Sequence, residues 1–378
     1  MKRLLFILLL LLFPMSVYAD ELVSNAKSSV LIEANSGKII YEKNKDKRLS
    51  IASMTKMVGQ IIILEKIEAG KIKWDDIVTV SHNASNMGGS QIYLEEGEKM
   101  SVRDLMKGIS VASGNDATVA MAEYISGSED KFVKLMNDKV KKLGLKNTHF
   151  ANSTGLDQDN HYSSSYDMAM IARELVVNHP EILKFSSIYE DYLRQNTDRK
   201  FWLVNTNKLI SQYQGADGLK TGHTDDALYC LAATAKRNNM RLIAIVLGED
   251  NSKVRNKETM ELLDYGFQNT KLKKLKNKGT IIKKIVMKNS DVKSFNLVLK
   301  EDLDVVEDLG DDNSYKYKTI IKNINLPLKK NQVVGRIEVY LNKKKISTGD
   351  VVSDRSVYLL KIIDLYKESI SQIVYGSY

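Results

Sequence analysis

The first place in this chain where complementary side chains stand at a working spacing is Ser53-Met54-Thr55-Lys56. A serine hydroxyl attacks a carbonyl poorly until a base takes its proton. A lysine one helical turn away lies on the same face and can reach that hydroxyl. The amine can be the base only when neutral, and burial or a neighbouring cation pushes it that way. Two further short motifs follow in order. They are Ser113-Gly114-Asn115, and Lys220-Thr221-Gly222 with His223 after it.

Each residue type suits a step of acyl transfer. Ser113 and Asn115 bracket a glycine, so both can project from one loop. Ser113 could relay a proton between a leaving amine and the lysines, while Asn115 could hold a substrate amide and help fix Lys56. Lys220 supplies the cation that depresses Lys56. With Thr221 it also suits a substrate carboxylate, by charge and hydroxyl donation. Gly222 lets one backbone approach another closely. The backbone N–H groups of Ser53 and His223 are candidates for an oxyanion hole, aided by the positive end of the helix that Ser53 opens. Taken singly, the motifs are commonplace: a capped helix start, a turn, and a turn into a strand. Together and in this order they resemble the Ser-x-x-Lys, Ser-Asp-Asn and Lys-Thr-Gly signature of class A β-lactamases and penicillin-binding proteins.

Other chemistry is poorly served. His82, His149, His161 and His179 lack metal-ligand spacing, and no His-Glu-x-x-His occurs. They read as surface or satisfied histidines, so no metal and no cofactor is expected. Cys230, the single cysteine, excludes an intramolecular disulfide framework and a multi-cysteine zinc site, and reads as a small core residue. Trp74 and Trp202 read as packing residues, with Trp202 also able to line an approach to the site.

The elements that must position these groups occupy 378 residues with 43% apolar content, enough for a large core and two domains. Met1-Lys2-Arg3, the apolar run Leu4 to Phe13 and the small residues ending at Ala19 form the three parts of a secretory signal, residues 1–19. The alternative is an uncleaved anchor, although Pro14 interrupts the run. Export places the mature protein at the outer face of the cytoplasmic membrane or in the cell wall. Its charge, 56 Lys+Arg against 47 Asp+Glu, is scattered along the chain, and no nucleic-acid-binding signature accompanies it.

Residues 20–270 read as an α+β domain, with helices packed on one antiparallel sheet. A hairpin turns at Asn35-Ser36-Gly37. Helices are expected over about 53–69, 102–113, 116–125, 129–143, 165–177 and 254–267. Tyr229–Ala235 and Arg241–Leu247 read as adjacent strands, with Lys220-Thr221-Gly222 preceding them. Residues 271–352 read as a small all-β domain, with strands near 280–286, 295–299, 317–321 and 333–341. From 353 to 378, Leu359, Ile362, Ile363, Tyr366, Ile370 and Ile373 recur at helical spacing. That amphipathic helix could lie on a membrane or pack on protein.

The stretch from about Ser28 to Asn269 resembles the low-molecular-mass penicillin-binding proteins that are serine-type D-alanyl-D-alanine carboxypeptidases, peptidase family S11. The resemblance is carried by Ser50-Ile51-Ala52-Ser53-Met54-Thr55-Lys56-Met57, by Ser113-Gly114-Asn115-Asp116-Ala117 and by the run Gly215 to Thr224. Asn152–Leu156, His161-Tyr162-Ser163, Tyr166-Asp167-Met168 and Asn205–Leu209 add to it. It implies a β-lactamase/transpeptidase-like catalytic domain, a β-rich C-terminal domain and a C-terminal membrane-associating helix. It implies an enzyme that removes the terminal D-alanine of peptidoglycan pentapeptide stems through acyl-Ser53, with β-lactam antibiotics as covalent inhibitors. By the same resemblance, Arg255 sits near the substrate carboxylate. One departure stands out: Leu228 precedes Tyr229 where the family usually has glycine. Competing readings are a β-lactamase, a D,D-endopeptidase and a catalytically idle binding protein. For the lactamase, the middle-region acids weighed are Asp157, Asp159 and Asp167.

Overall fold

The computed structural model describes residues 22–287 and 289–360. In chain order its principal elements are β1 (Ser28–Glu33), β2 (Ile39–Lys43), a 3₁₀ turn at Ala52–Thr55, α1 (Lys56–Glu68), β3 (Ile77–Thr79), β4 (Lys99–Ser101), α2 (Val102–Lys107), α3 (Asn115–Ser126), α4 (Glu129–Lys142), α5 (Ser165–Asn178), β5 (Glu190–Leu193), β6 (Phe201–Val204), β7 (Ala216–Thr224), β8 (Leu228–Arg237), β9 (Met240–Glu249) and α6 (Ser252–Asn269).

The central sheet is antiparallel with order β2-β1-β9-β8-β7. Its inner strands are apolar on both faces because both are covered. Val30, Ile32, Ala232, Ile243 and Ile245 face the core shared with α1, α3 and α5. Leu31, Leu231, Ala233, Leu242 and Ala244 face Leu262 and Leu263 of α6 on the other side. Each such Leu or Ile removed from water stabilises the fold by about 1.5–3 kcal/mol. Serine hydroxyls set several helix starts. Ser101, Ser128 and Ser164 accept the N–H of Asp104, Lys131 and Asp167, satisfying donors that a first helical turn leaves open.

Lys220-Thr221-Gly222 precedes the strands β8 and β9, as expected, and itself lies inside β7, the edge strand of the sheet. Polar Asp217, Lys220 and His223 hide the strand pattern in the sequence.

The N-terminal segment is fastened beside the end of β9. The Glu258 carboxylate accepts the backbone N–H of Asn25 at 3.1 Å and the Asn25 side chain at 2.7 Å. Glu249, fully buried, stands against it and keeps a proton, because burial and the Glu258 charge push its carboxyl up to about 8. A carboxyl raised from its unfolded value stabilises the fold fully at low pH and loses that contribution as pH rises through 8. Glu249→Gln should therefore raise Tm by about 3 °C or more at pH 9, on the usual scale of 2–4 °C per kcal/mol, and change it little at pH 5. Thermal unfolding followed by circular dichroism at both pH values checks this.

Beyond α6 the regular elements among the described residues are all strands: β10 (Thr270–Lys276), β11 (Ile281–Val286), β12 (Ser294–Leu299), β13 (Leu303–Asp308), β14 (Lys316–Ile321), β15 (Val333–Leu341) and β16 (Lys344–Ser353). One sheet has order β11-β12-β16-β15-β14, and β10 pairs with β13. Phe295, Leu297, Leu303, Val305, Ile337, Val339 and Val351 form the core of this part. The strand character of β10 is masked by its lysines, which answer acids nearby: Lys273 meets Glu307 at 3.0 Å and Lys274 meets Asp302 at 2.5 Å.

The expected helix over 353–378 fails at its start. Residues 354–360 are not helical: a bend at 354–355 leads to isolated bridges at Val357 and Leu359, and Val357 exchanges backbone hydrogen bonds with Leu328 at 2.7 and 2.8 Å while its side chain joins the β-domain core. Burial of Val357 and that pairing outweigh helical periodicity there. Residues 361–378, and the secretory signal at 1–19, lie outside the described residues. Among the described residues no helix is long and apolar enough to cross a membrane.

Candidate active site

Ser53 sits in the 3₁₀ turn that leads into α1, and Lys56 is the first residue of that helix. Ser53 is not a cap. Its Oγ lies 2.6 Å from Lys56 Nζ, and the same amine reaches the carbonyl of Thr154 at 2.7 Å. The turn is held tightly from two sides. Ala52 has φ +47°, and a Cβ on Gly155 would stand 2.0 Å from the Ala52 carbonyl oxygen. On the other side a Cβ on Gly222 of β7 would stand 2.5 Å from the carbonyl of Ile51. Gly222 is thus what lets the edge strand lie against the serine turn. Gly222→Ala must push the turn and strand apart. Acylation of Ser53 should fall by about 10²-fold, the usual effect of displacing a reacting group by about 1 Å. Stopped-flow acylation with a chromogenic β-lactam measures it.

Lys56 is wholly buried, and its pKa falls well below the ordinary lysine value. Burial is the main cause and the Lys220 ammonium adds to it, while Asp116 works weakly the other way. Lys220 is also buried, and burial with the nearby Arg255 brings it down to about 7. Its amine donates to the Thr221 carbonyl at 3.1 Å. Thr221 Oγ1 donates to Thr206 Oγ1 at 2.7 Å.

Ser113 ends a π-type turn at Gly108–Ala112 in a left-handed conformation, φ +64°, and lines the cleft. Asn115 opens α3. Its side-chain NH₂ donates to the carbonyl of Gly88 at 2.7 Å, while its Oδ1 is buried with no partner among the described residues. The Asn115 bond to Lys56 expected from sequence is replaced by the Thr154 carbonyl. The next residue, Asp116, accepts the N–H groups of Ile92 and Leu94 at 3.0 Å each, fixing the loop that carries Gly88 and Ser90.

These elements enclose a cleft of about 440 Å³. Ser53, Ser113, Thr221, Gly222, His223 and Arg255 line it, while Lys56, Asn115 and Lys220 lie buried behind its wall. Arg255 comes from the first turns of α6, with its guanidinium anchored to Asn256 Oδ1 at 2.8 Å. The His223 ring is exposed and stacks on Tyr229, centroids 4.1 Å apart, so the strand brings its backbone rather than its imidazole to the serine. The free edge of β7 faces this space, offering backbone groups to an extended peptide.

Sequence reasoning missed the Thr154 carbonyl, which no side chain announces, and the roles of Asn205 and Asn207. Their carboxamides tie Ser186 and Gly218 together around β7, at 3.0 and 2.9 Å. Trp74 packs on Phe185 and Cys230 is fully buried. Trp202 is exposed on β6, two residues from Val204 at the cleft wall. Leu228 takes φ +54° at the start of β8, a conformation glycine adopts without strain.

Residues 15–251 match the family model for D-alanyl-D-alanine carboxypeptidase. The chain belongs to this carboxypeptidase family. Residues 271–358 match the model for the C-terminal domain of penicillin-binding protein 5, so the carboxypeptidase carries the family's β-rich appendage as well. D-alanyl-D-alanine carboxypeptidase DacF of Bacillus subtilis is 45% identical, the match covering 98% of each chain. Among solved structures, penicillin-binding protein 5 from Haemophilus influenzae superposes with TM-score 0.70 at 35% identity, over 88% of this chain and 98% of that one. Penicillin-binding protein D2 from Listeria monocytogenes, solved with ampicillin bound, matches the carboxypeptidase domain with TM-score 0.58 at 33% identity, over 64% of this chain and 97% of that one. The helices and antiparallel sheet expected from sequence, followed by an all-β part, are those of this fold.

Proposed function

We propose that this carboxypeptidase works through Ser53 as nucleophile and Lys56 as its base, on the terminal D-Ala-D-Ala of peptidoglycan stem peptides. The observation that carries the assignment is a fully buried lysine amine 2.6 Å from a serine hydroxyl that opens on a cleft. Neutral Lys56 takes the Ser53 proton as Oγ attacks the penultimate carbonyl. The backbone N–H groups of Ser53 and His223 receive the developing oxyanion. Thr221, Lys220 and Arg255 suit the terminal carboxylate, and Asn115 suits the peptide amide. Ser113 passes a proton to the departing D-alanine. Water then hydrolyses the acyl-Ser53 ester.

A lactamase reading is less well supported by the acids of the middle region. The Asp157 carboxylate accepts Thr224 Oγ1 at 2.7 Å, and that of Asp167 accepts the Asn147 N–H and Thr148 hydroxyl. Both carboxylates are thus engaged by partners other than Ser53. The mature protein would act outside the cytoplasmic membrane after removal of residues 1–19, with residues 361–378 resting on the membrane surface.

Intact-mass measurement of the mature chain, 20–378, after brief exposure to benzylpenicillin tests the acyl-serine reading, with D-alanine release from a pentapeptide assayed beside it. A persistent penicilloyl adduct on Ser53 and D-alanine release support the reading. Rapid drug loss without adduct means a lactamase. Intact drug without adduct overturns the reading.

A further inference from the structure

His161, which the sequence presents as a surface or satisfied histidine, is buried and satisfied. It is 6% exposed and packs edge-on against Phe150, ring centroids 5.6 Å apart. Its partners, however, are not incidental. The backbone N–H of Ala151 donates to Nδ1 at 3.1 Å. Nδ1 is therefore the bare nitrogen, and Nε2 carries the hydrogen. That Nε2–H donates to Thr55 Oγ1 at 2.7 Å, and Thr55 is fully buried. Thr55 directly precedes Lys56. Ala151 lies three residues before Thr154, whose carbonyl receives the Lys56 amine.

One imidazole thus joins the turn that carries Ser53 and Lys56 to the loop that supplies the lysine's only backbone acceptor among the described residues. We infer that His161 is a positioning residue for acyl transfer, a clamp that holds Lys56 Nζ between Ser53 Oγ and the Thr154 carbonyl. The inference rests on the reading of Lys56 as the base. It touches neither substrate nor the reacting atoms; it acts through Thr55 and Ala151.

The clamp is made of a neutral ring. Burial pushes His161 down to about 4, with His149 and Lys56 adding to the effect and Asp157 opposing it. It therefore adds no charge beside Lys56 at neutral pH. A residue there must both donate to a hydroxyl and accept from an amide. Glutamine does both, through its NH₂ and carbonyl. Phenylalanine fills similar space and does neither.

The test uses the mature full chain and benzylpenicillin, separating the acylation rate constant at saturation from the dissociation constant of the non-covalent complex, across pH 5 to 10. His161→Gln should keep the acylation constant within about fivefold of wild type, the worth of one neutral hydrogen bond. His161→Phe should lower it by about 10²-fold with the dissociation constant unchanged, as loss of alignment does. Its acid limb should also move to higher pH, because a loosened wall lets water solvate the Lys56 ammonium. Thr55→Val, which keeps shape and removes only the hydroxyl, should reproduce much of this defect. The double variant His161→Phe/Thr55→Val should fall short of the sum of the two losses.

A folded His161→Phe protein with wild-type acylation and an unmoved acid limb overturns the inference. Should that variant fail to fold, wild-type behaviour of Thr55→Val overturns it instead. If His161→Gln is as impaired as His161→Phe, the ring is only a packing piece and the clamp is wrong. If the wild-type chain forms no adduct at all, the fault lies with the Ser53 and Lys56 assignment, and this inference falls with it.

Discussion

Replacing Ser53 with alanine will leave a folded protein that takes up no penicilloyl group and releases D-alanine more slowly by about 10⁴–10⁶-fold, the range seen when a serine nucleophile is lost. Folding should survive because the hydroxyl's contacts are few: Lys56 Nζ at 2.6 Å and a long approach of 3.5 Å to the Thr154 carbonyl. Lys56 keeps its bond to Thr154 in the variant. Oxyanion donors and the carboxylate pocket also persist, so substrate still binds while the covalent route is closed. The measurements are intact mass, D-alanine release and Tm. A Ser53→Ala chain that still acquires one penicilloyl group would place the nucleophile elsewhere, with Ser113 the first alternative in the cleft.

Lys56→Met comes next in size. A buried side chain of similar length replaces the amine, and acylation should fall by about 10²–10⁴-fold, the contribution of a positioned general base. The wild-type pH profile carries the same argument. On the proposed mechanism acylation needs Lys56 without its proton, so the rate should rise with pH through a Lys56 value well below the ordinary one. If it also draws on Lys220 as a cation, as proposed, the rate should fall as pH passes about 7, or higher once a substrate carboxylate is bound. The two limbs belong to the coupled pair of amines rather than to either alone. Lys220→Arg, charged at every working pH, should abolish the alkaline limb while lowering the maximum. A profile of kcat/KM from pH 5 to 10 for wild type and Lys220→Arg decides it; an alkaline limb that survives in the arginine variant removes Lys220 from the mechanism.

Much of this was legible in the residues themselves. The Ser53/Lys56 spacing predicts an amine in reach of a hydroxyl, and the pair stands at 2.6 Å. The Asn35-Ser36-Gly37 hairpin, the continuous apolar runs of β8 and β9 and the Ser-capped helices follow directly from turn chemistry, two-sided burial and capping. What stayed hidden has physical reasons. The bounds of β7 were not legible, because polar Asp217, Lys220 and His223 dilute its apolar signal. β10, Thr-Lys-Leu-Lys-Lys-Leu-Lys, gives a weak apolar signal because Glu307 and Asp302 answer lysines in tertiary space. β16 is diluted by Lys344, Lys345, Ser347, Thr348 and Asp350. The Thr154 carbonyl has no sequence signature at all, and Asn115 was credited with the contact it makes to Lys56. The helix expected over 353–378 does not begin where it was placed, because Val357, just ahead of the periodic residues, belongs to the β-domain core.

A protein that holds two lysine amines out of water takes up protons when it unfolds. Each unit by which such an amine is depressed represents about 1.4 kcal/mol of folding free energy forgone below the unfolded pKa. Lys56 and Lys220 are therefore a standing burden on the native state, heaviest in acid and lifted as the medium becomes alkaline. Reactivity and durability are set against each other at one locus. Inactive descendants in which either amine has become an apolar residue should be sturdier than the working enzyme. Under selection for endurance alone, this carboxypeptidase would drift toward silence.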